Sequence, residues 1–258
     1  MKIIIPMTGY GSRFVAAGYK ELKPLIRVNG VPIIEWIVRG MFPGQEDFLF
    51  VCRQEHLDTV EDMEKLLHRL APKGEIFAIQ DWVKKGPVYD VLRAAASIPD
   101  EMPCAISYCD FYMTWDWARF QRDVAERGCD GCIPCYTGYH PHLMVRKNLY
   151  ASCLTDSEDN LIEIREKYSF AQDKTKALHS PGIYYFRTGA LLKEYCQKLV
   201  NGGPALNSEY YASLPYNYMV QDGRKVWVPA NVKRFCQWGT PEDMADYNFY
   251  MDHVLSWR

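Results

Sequence analysis

The sequence predicts a single-domain α/β fold over residues 1–258, a Rossmann-like, doubly wound sheet that is mixed but mostly parallel. Three observations lead there. Short apolar runs rich in β-branched residues alternate with helical stripes from one end of the chain to the other. The first run, Lys2-Ile3-Ile4-Ile5-Pro6, is apolar on both of its faces, as a strand covered by helices on both sides must be. Gly9-Tyr10-Gly11 and Asp110 fall just beyond the carboxyl ends of such runs, where sheets of this kind hold their ligands.

The elements follow in order. After the strand at Lys2 to Pro6, Ile33, Ile34, Ile37, Val38 and Met41 recur at helical spacing, and Phe48 to Val51 reads as the next strand. Leu57, Val60, Leu67 and Leu70 predict one amphipathic helix, followed by a strand at Glu75 to Ile79. Val88, Val91, Leu92 and Ala95 form a stripe after Gly86-Pro87, and Cys104 to Cys109 is an apolar strand that stops at Asp110. Further helices are expected at Trp117 to Ala125, Leu191 to Leu199 and Glu242 to Asp252. Further strands are expected at Gly131 to Tyr136, Ile183 to Phe186 and Lys225 to Val228. The polar stretch Thr155 to Thr175 reads as a hairpin or flap.

Composition narrows the function. With 48% hydrophobic and 24% charged residues the chain is an ordinary globular protein. A net charge of −2 gives no broad positive field, which argues against nucleic acid as a partner. The opening apolar stretch, Met1 to Met7, is too short for a signal segment or a membrane span, so a cytoplasmic protein without a membrane partner is expected. Nine cysteines, an odd number, are read as reduced thiols. Cys129, Cys132 and Cys135 suggest a metal site, but strand alternation would turn Cys132 away from the other two. A proline between His140 and His142 likewise points those side chains apart, leaving a loop beside an acceptor pocket. Tyr184, Tyr185, Tyr210, Tyr211, Tyr216 and Tyr218 are read mainly as core, with a stacking platform among them as the alternative.

Thr8-Gly9-Tyr10-Gly11-Ser12-Arg13 follows a strand directly. Its glycines let backbone amides approach a polyphosphate and Arg13 adds positive charge, although a plain tight turn has the same composition. The dinucleotide fingerprint is excluded because Phe14 stands where a third glycine is required, and the P-loop because Gly-Lys-Ser/Thr is missing.

The segment resembles the Gly-x-Gly-[Ser/Thr]-Arg loop of the sugar-phosphate nucleotidyltransferases, with Lys23-Pro24 as the lysine that follows it. The resemblance continues in the family's order. Gly86-Pro87-Val88-Tyr89-Asp90 is similar to the nucleobase-side Gly-Thr-Ala segment, and Ser107-Tyr108-Cys109-Asp110 to the Leu-Gly-Asp metal strand. Glu166-Lys167 is similar to the pair that meets the sugar phosphate, Ser180 to Tyr184 to the Asn-Thr-Gly-Ile-Tyr strand, and Trp238 to Glu242 to the closing Gly-Thr-Pro-Glu. The close relatives it resembles are short-form enzymes of capsule and surface-polysaccharide assembly.

The resemblance implies a GT-A-like fold and transfer of a nucleoside monophosphate from a triphosphate to a sugar 1-phosphate or similar acceptor, with Mg2+ as cofactor and pyrophosphate as product. It implies that Arg13 holds the β- and γ-phosphates and that Lys23 bridges the α-phosphate and the acceptor. Asp110 would carry the metal. Met7, Thr8, Gly9, Gly11, Ser12, Gln80, Gly86 and Pro87 would surround the nucleotide, and Glu166, Lys167 and Gly182 the acceptor. Read without the family, each has an alternative: Lys23 a solvated loop lysine, Asp110 a cap for a helix near Trp115, and Glu166-Lys167 an exposed hairpin pair. Where relatives complete the metal site with Asp or Asn this chain has Gln237, which brings no charge; Glu209 is a candidate substitute. Two other readings stay open: a glycosyltransferase that consumes a nucleotide sugar, and a non-catalytic nucleotide sensor. A homodimer, the nucleobase and the acceptor are not fixed by the sequence.

Overall fold

The computed structural model describes residues 1–146 and 148–255. Its central sheet has seven strands in the order Val226–Trp227, Gly131–Cys132, Ile183–Phe186, Cys104–Ser107, Lys2–Pro6, Phe48–Arg53 and Glu75–Ile79. Lys2–Pro6 runs parallel to both of its neighbours, with Ile3 opposite Phe48 and Ala105. Ile183–Phe186 is antiparallel to the strands on either side of it, and this makes the sheet mixed.

Period-two alternation explains why these strands are apolar throughout. Ile3, Ile5, Phe48, Phe50 and Cys52 bury into one layer with Ile37, Leu67, Phe120 and Val124 from the helices on that face. Ile4, Leu49, Val51 and Ile106 bury into the opposite layer with Val91, Leu192, Tyr195 and Met219. Each face needs its own helical cover, which is the doubly wound arrangement that the sequence predicts.

Several expectations need correction. The stripe from Ile33 to Met41 begins as a short α-helix, Ile33–Glu35, and continues as a π-helix, Trp36–Met41. The helix expected across Leu57 to Leu70 is two, Gln54–Thr59 and Met63–Leu70, because the chain turns at Asp62 with φ 62°. The strand expected from Gly131 to Tyr136 is only Gly131–Cys132. Alternation therefore does not reach Cys129, and Cys129 and Cys132 pack in one layer while Cys135 packs in the other. Pro141–Met144 is a 3-10 turn rather than extended chain, so the His140 and His142 rings lie 5.5 Å apart instead of diverging. His142 turns inward onto the Tyr136 hydroxyl at 2.9 Å, and burial first, then His140 and His179, pushes its pKa down to about 3.

The polar stretch after Ser152 is a hairpin, Ser152–Thr155 paired with Leu161–Arg165, and Leu178–His179 adds a third strand. A second pairing matters more for the site. Arg234–Gln237 lies antiparallel to Phe111–Thr114 with Gln237 opposite Phe111, and the Trp238 amide donates to the Asp110 carbonyl at 3.1 Å. These bonds fasten the C-terminal Gly239-Thr240-Pro241 segment beside Asp110.

Candidate active site

Beyond the carboxyl ends of Lys2–Pro6 and Cys104–Ser107 lies a cleft of ≈ 310 Å³, the size that holds one small ligand. Met7, Thr8, Gly9, Gly11, Ser12, Arg13, Lys23, Gly86, Pro87, Asp110 and Glu209 all line it, together with Tyr10, Trp82, Asp90, Tyr211 and Gly239.

One group of residues gathers around Lys23. The 3-10 turn Lys23–Leu25, fixed by Pro24, directs the ammonium into the cleft. There Nζ lies 2.9 Å from Asp110 Oδ2, donates to the Gly239 carbonyl at 3.1 Å and sits over the Phe14 ring at 5.5 Å. Gly11 has φ 59°, and a Cβ added to it would come 3.3 Å from the Lys23 Cβ; the glycine turn and the lysine are therefore packed on one another. Arg13 reaches the same cleft from the first turn of Ser12–Ala16. Asp110 does not cap the following helix, because Asp116 accepts from the Arg119 amide there.

A second group gathers around Gly86. With φ 90° and a hypothetical Cβ only 2.6 Å from the Tyr210 amide nitrogen, Gly86 admits no side chain. Its absence lets Tyr210 donate to the Lys85 carbonyl at 2.8 Å and brings Glu209 against Lys84 at 3.0 Å. Asp90, only 2% exposed, stands on the helix that follows. Its Oδ2 accepts from the Thr8 hydroxyl and, at 3.3 Å, from the Trp82 indole. Burial pushes the Asp90 carboxyl from its ordinary 3.8 up to about 6, against the pull of those two donors and of Arg93.

The sign of that shift gives a stability prediction. A carboxyl that holds its proton more tightly in the native chain loses stability on ionisation as pH rises from about 4 to about 6, and the loss is complete at neutral pH. Asp90→Asn should therefore raise stability at neutral pH by about 1–3 kcal/mol and flatten the pH dependence across that window in urea unfolding. An undiminished slope would contradict the assignment.

The structure also separates some expected site residues from the cleft lining. Gln80 is exposed, with its amide on Gln54 Oε1 at 2.9 Å, and Trp82 takes the wall instead. Gly182, with φ 114°, lets its strand dock against Tyr108 and Phe111, whose rings stand 3.0 and 3.2 Å from where a Cβ would be. Glu166 is half-buried, outside the cleft lining, and accepts from the Ser213 hydroxyl; desolvation raises its pKa while Ser213 and Lys167 oppose the rise. Lys167 lies 5.5 Å over the ring of Tyr211, a cleft residue. Gln237 borders Gly239, against which Asp110 Oδ2 also lies. Glu209 pairs with Lys84 at 3.0 Å, and Lys23 is the polar group bonded to Asp110. Among the six tyrosines, Tyr184, Tyr185 and Tyr216 are core, and Tyr211 reaches the cleft.

Sequence reasoning missed Asp90, Tyr10 and Trp82 as wall residues. A carboxylate in the first turn after Gly86-Pro87, off the Val88/Val91 stripe, was the one available signal. Among the described residues no set of three His, Cys, Asp or Glu side chains could hold a metal ion. Asp110 and the Gln237 amide are a donor set that fits Mg2+ only where substrate phosphates and water complete the shell, which is this ion's usual habit.

Residues 3–173 match the model of the MobA-like NTP transferase domain. The chain belongs to this family. The matched span of the NTP transferase domain includes the glycine turn, Lys23, Asp90, Asp110 and Glu166-Lys167, and the resemblance to sugar-phosphate nucleotidyltransferases read from the motifs holds. Solved structures that share the fold include the following three. A nucleoside-diphosphate-sugar pyrophosphorylase from Vibrio cholerae RC9 is 19% identical over 96% of this chain and 99% of its own, with a TM-score of 0.75. The inositol-1-phosphate CTP transferase from T. maritima is 15% identical over 98% and 95%, with a TM-score of 0.73. A UDP-glucose pyrophosphorylase complexed with UDP-glucose is 16% identical over 100% and 99%, also at 0.73. No curated protein sequence matches this NTP transferase.

Proposed function

We propose that the protein, acting as one catalytic unit over residues 1–258, transfers a nucleoside monophosphate from a triphosphate to a small phosphorylated acceptor, a sugar 1-phosphate. The observation that carries this reading is the meeting of Lys23, Asp110 and Gly239 at 2.9 and 3.1 Å beside the glycine turn and Arg13. Two anions that repel one another require concentrated positive charge before they react, and this corner of the cleft supplies it. An acceptor phosphate oxygen attacks the α-phosphorus, the bond from that phosphorus to the oxygen bridging to the β-phosphorus breaks, and pyrophosphate leaves carrying the electron pair. Lys23 compensates charge on the α-phosphate as the attacking oxygen closes, Arg13 holds the departing phosphates, and Lys167 and Glu166 face the acceptor. Mg2+, held by Asp110 with the Gln237 amide nearby, would neutralise phosphate charge when bound. Cytoplasm, where nucleoside triphosphates are made, suits such a reaction, and among the described residues no helix is long and apolar enough to cross a membrane.

Pyrophosphate release, assayed with the five common triphosphates against a panel of sugar 1-phosphates and phosphorylated alcohols, tests the reading. Acceptor-dependent release is expected. Sugar transfer from a nucleotide sugar without pyrophosphate release, or nucleotide binding without turnover on any acceptor, would favour the glycosyltransferase or the sensor instead.

A further inference from the structure

The cleft is polarised. Arg13 and Lys23 belong to the glycine-turn corner with Asp110, whereas the residues around Gly86 bring two further carboxylates, Asp90 and Glu209, against one cation, Lys84. Ionised carboxylates only accept hydrogen bonds and repel phosphate, so this second corner suits the base and ribose of a nucleotide rather than its phosphates. Glu209 is committed to Lys84. Asp90 is committed on one oxygen alone: Oδ2 takes the Thr8 hydroxyl and the Trp82 indole, while Oδ1 is buried without a hydrogen-bond partner. Arg93, the cation on the same helix, is spent on Asp81. A buried acceptor left in this state costs free energy that a donor from a ligand would recover.

The same carboxylate fixes a stacking wall. Trp82 is tied to Asp90 through its indole nitrogen, meets Tyr10 edge-on at 5.0 Å, and both rings carry the Arg53 guanidinium at 4.8 and 4.3 Å. A base lying against this wall would present its polar edge toward Asp90. The edges differ in chemistry. Cytosine, adenine and guanine carry an exocyclic amino group that donates, whereas uracil and thymine place carbonyl acceptors on both sides of a single ring N–H.

We propose that Asp90 is the specificity-determining residue for the base, and that the cleft accepts a triphosphate whose base bears an exocyclic amino group in preference to UTP or dTTP. The inference rests on the nucleotidyltransferase reading and narrows its substrate. The alternatives are unequal because an exocyclic amino group donates from the rim of the base, whereas the ring N–H of uracil or thymine brings two flanking carbonyl acceptors against the same carboxylate.

Dissociation constants measured by calorimetry for CTP, ATP, GTP, UTP and dTTP, each with Mg2+ and without acceptor, test it. At least one amino-bearing triphosphate should bind about tenfold or more tightly than both UTP and dTTP. Asp90→Asn, which turns an acceptor-only group into one that also donates, should shrink that ratio to within about threefold, with thermal melting used to verify the fold. UTP or dTTP binding as tightly as the best amino-bearing triphosphate would overturn the proposal, and so would an unchanged ratio in a folded Asp90→Asn. The wild-type ratio decides alone if the variant does not fold. Tight binding with the wrong preference sinks base selection only, whereas failure of all five triphosphates to bind sinks the nucleotidyltransferase reading as well.

Discussion

Replacing Lys23 with alanine is expected to lower kcat/KM for pyrophosphate release by about 10²–10³-fold or more, equivalent to about 3–4 kcal/mol of transition-state stabilisation. The ammonium lies on Asp110 and the Gly239 carbonyl, held there by a 3-10 turn packed against Gly11. It thus already stands in the corner proposed for the α-phosphate, and it exchanges its Asp110 partner for phosphate oxygen as the triphosphate and Mg2+ enter. The loss should fall on kcat rather than KM, because Lys23 acts where the attacking oxygen closes. Triphosphate binding should weaken less, since Arg13 and the glycine-turn amides remain. Steady-state kinetics with melting curves check both parts, and a folded variant within a few-fold of wild type would remove Lys23 from the reaction.

Asp110→Ala should produce a loss of similar size with a different signature. It removes the carboxylate that accepts from Lys23 and, in the proposed reaction, the only charged protein ligand for Mg2+, since Gln237 contributes an uncharged amide. Pyrophosphate release should fall by about 10²–10³-fold at moderate Mg2+ and recover in part as Mg2+ is raised, because phosphates and water can still assemble a weaker shell. Gln237→Asp, by contrast, should lower the Mg2+ concentration that gives half-maximal rate. A flat Mg2+ response in wild type and both variants would contradict the role given to this corner.

Much of the fold was legible because burial on both faces leaves a direct trace. A run such as Lys2-Ile3-Ile4-Ile5-Pro6 has no polar face to offer water, and its alternate residues divide between the two core layers. The errors lie where local backbone geometry overrides pattern. Asp62 enters the left-handed region and splits a helix whose apolar spacing runs on across the break. The 3-10 turn at Pro141–Met144 rotates His142 inward, which no extended reading of His-Pro-His allows. In the site, the residues of the glycine turn, Lys23 and Asp110 were readable because each belongs to a short spaced motif. Asp90 and Trp82 were not, since their juxtaposition arises from chain segments that meet only in the folded protein. Gln80 shows the same limit: it follows a strand directly, as its place in the sequence suggests, but its amide turns to Gln54.

The most direct test of the central claim is a crystal structure with Mg2+ and a triphosphate analogue that cannot be cleaved between its α- and β-phosphates. The α-phosphate should lie between Lys23 and Asp110, the β- and γ-phosphates against Gly11 and Arg13, and the base beside Trp82 and Asp90. Phosphates bound elsewhere, with Lys23 still closed on Asp110, would contradict it.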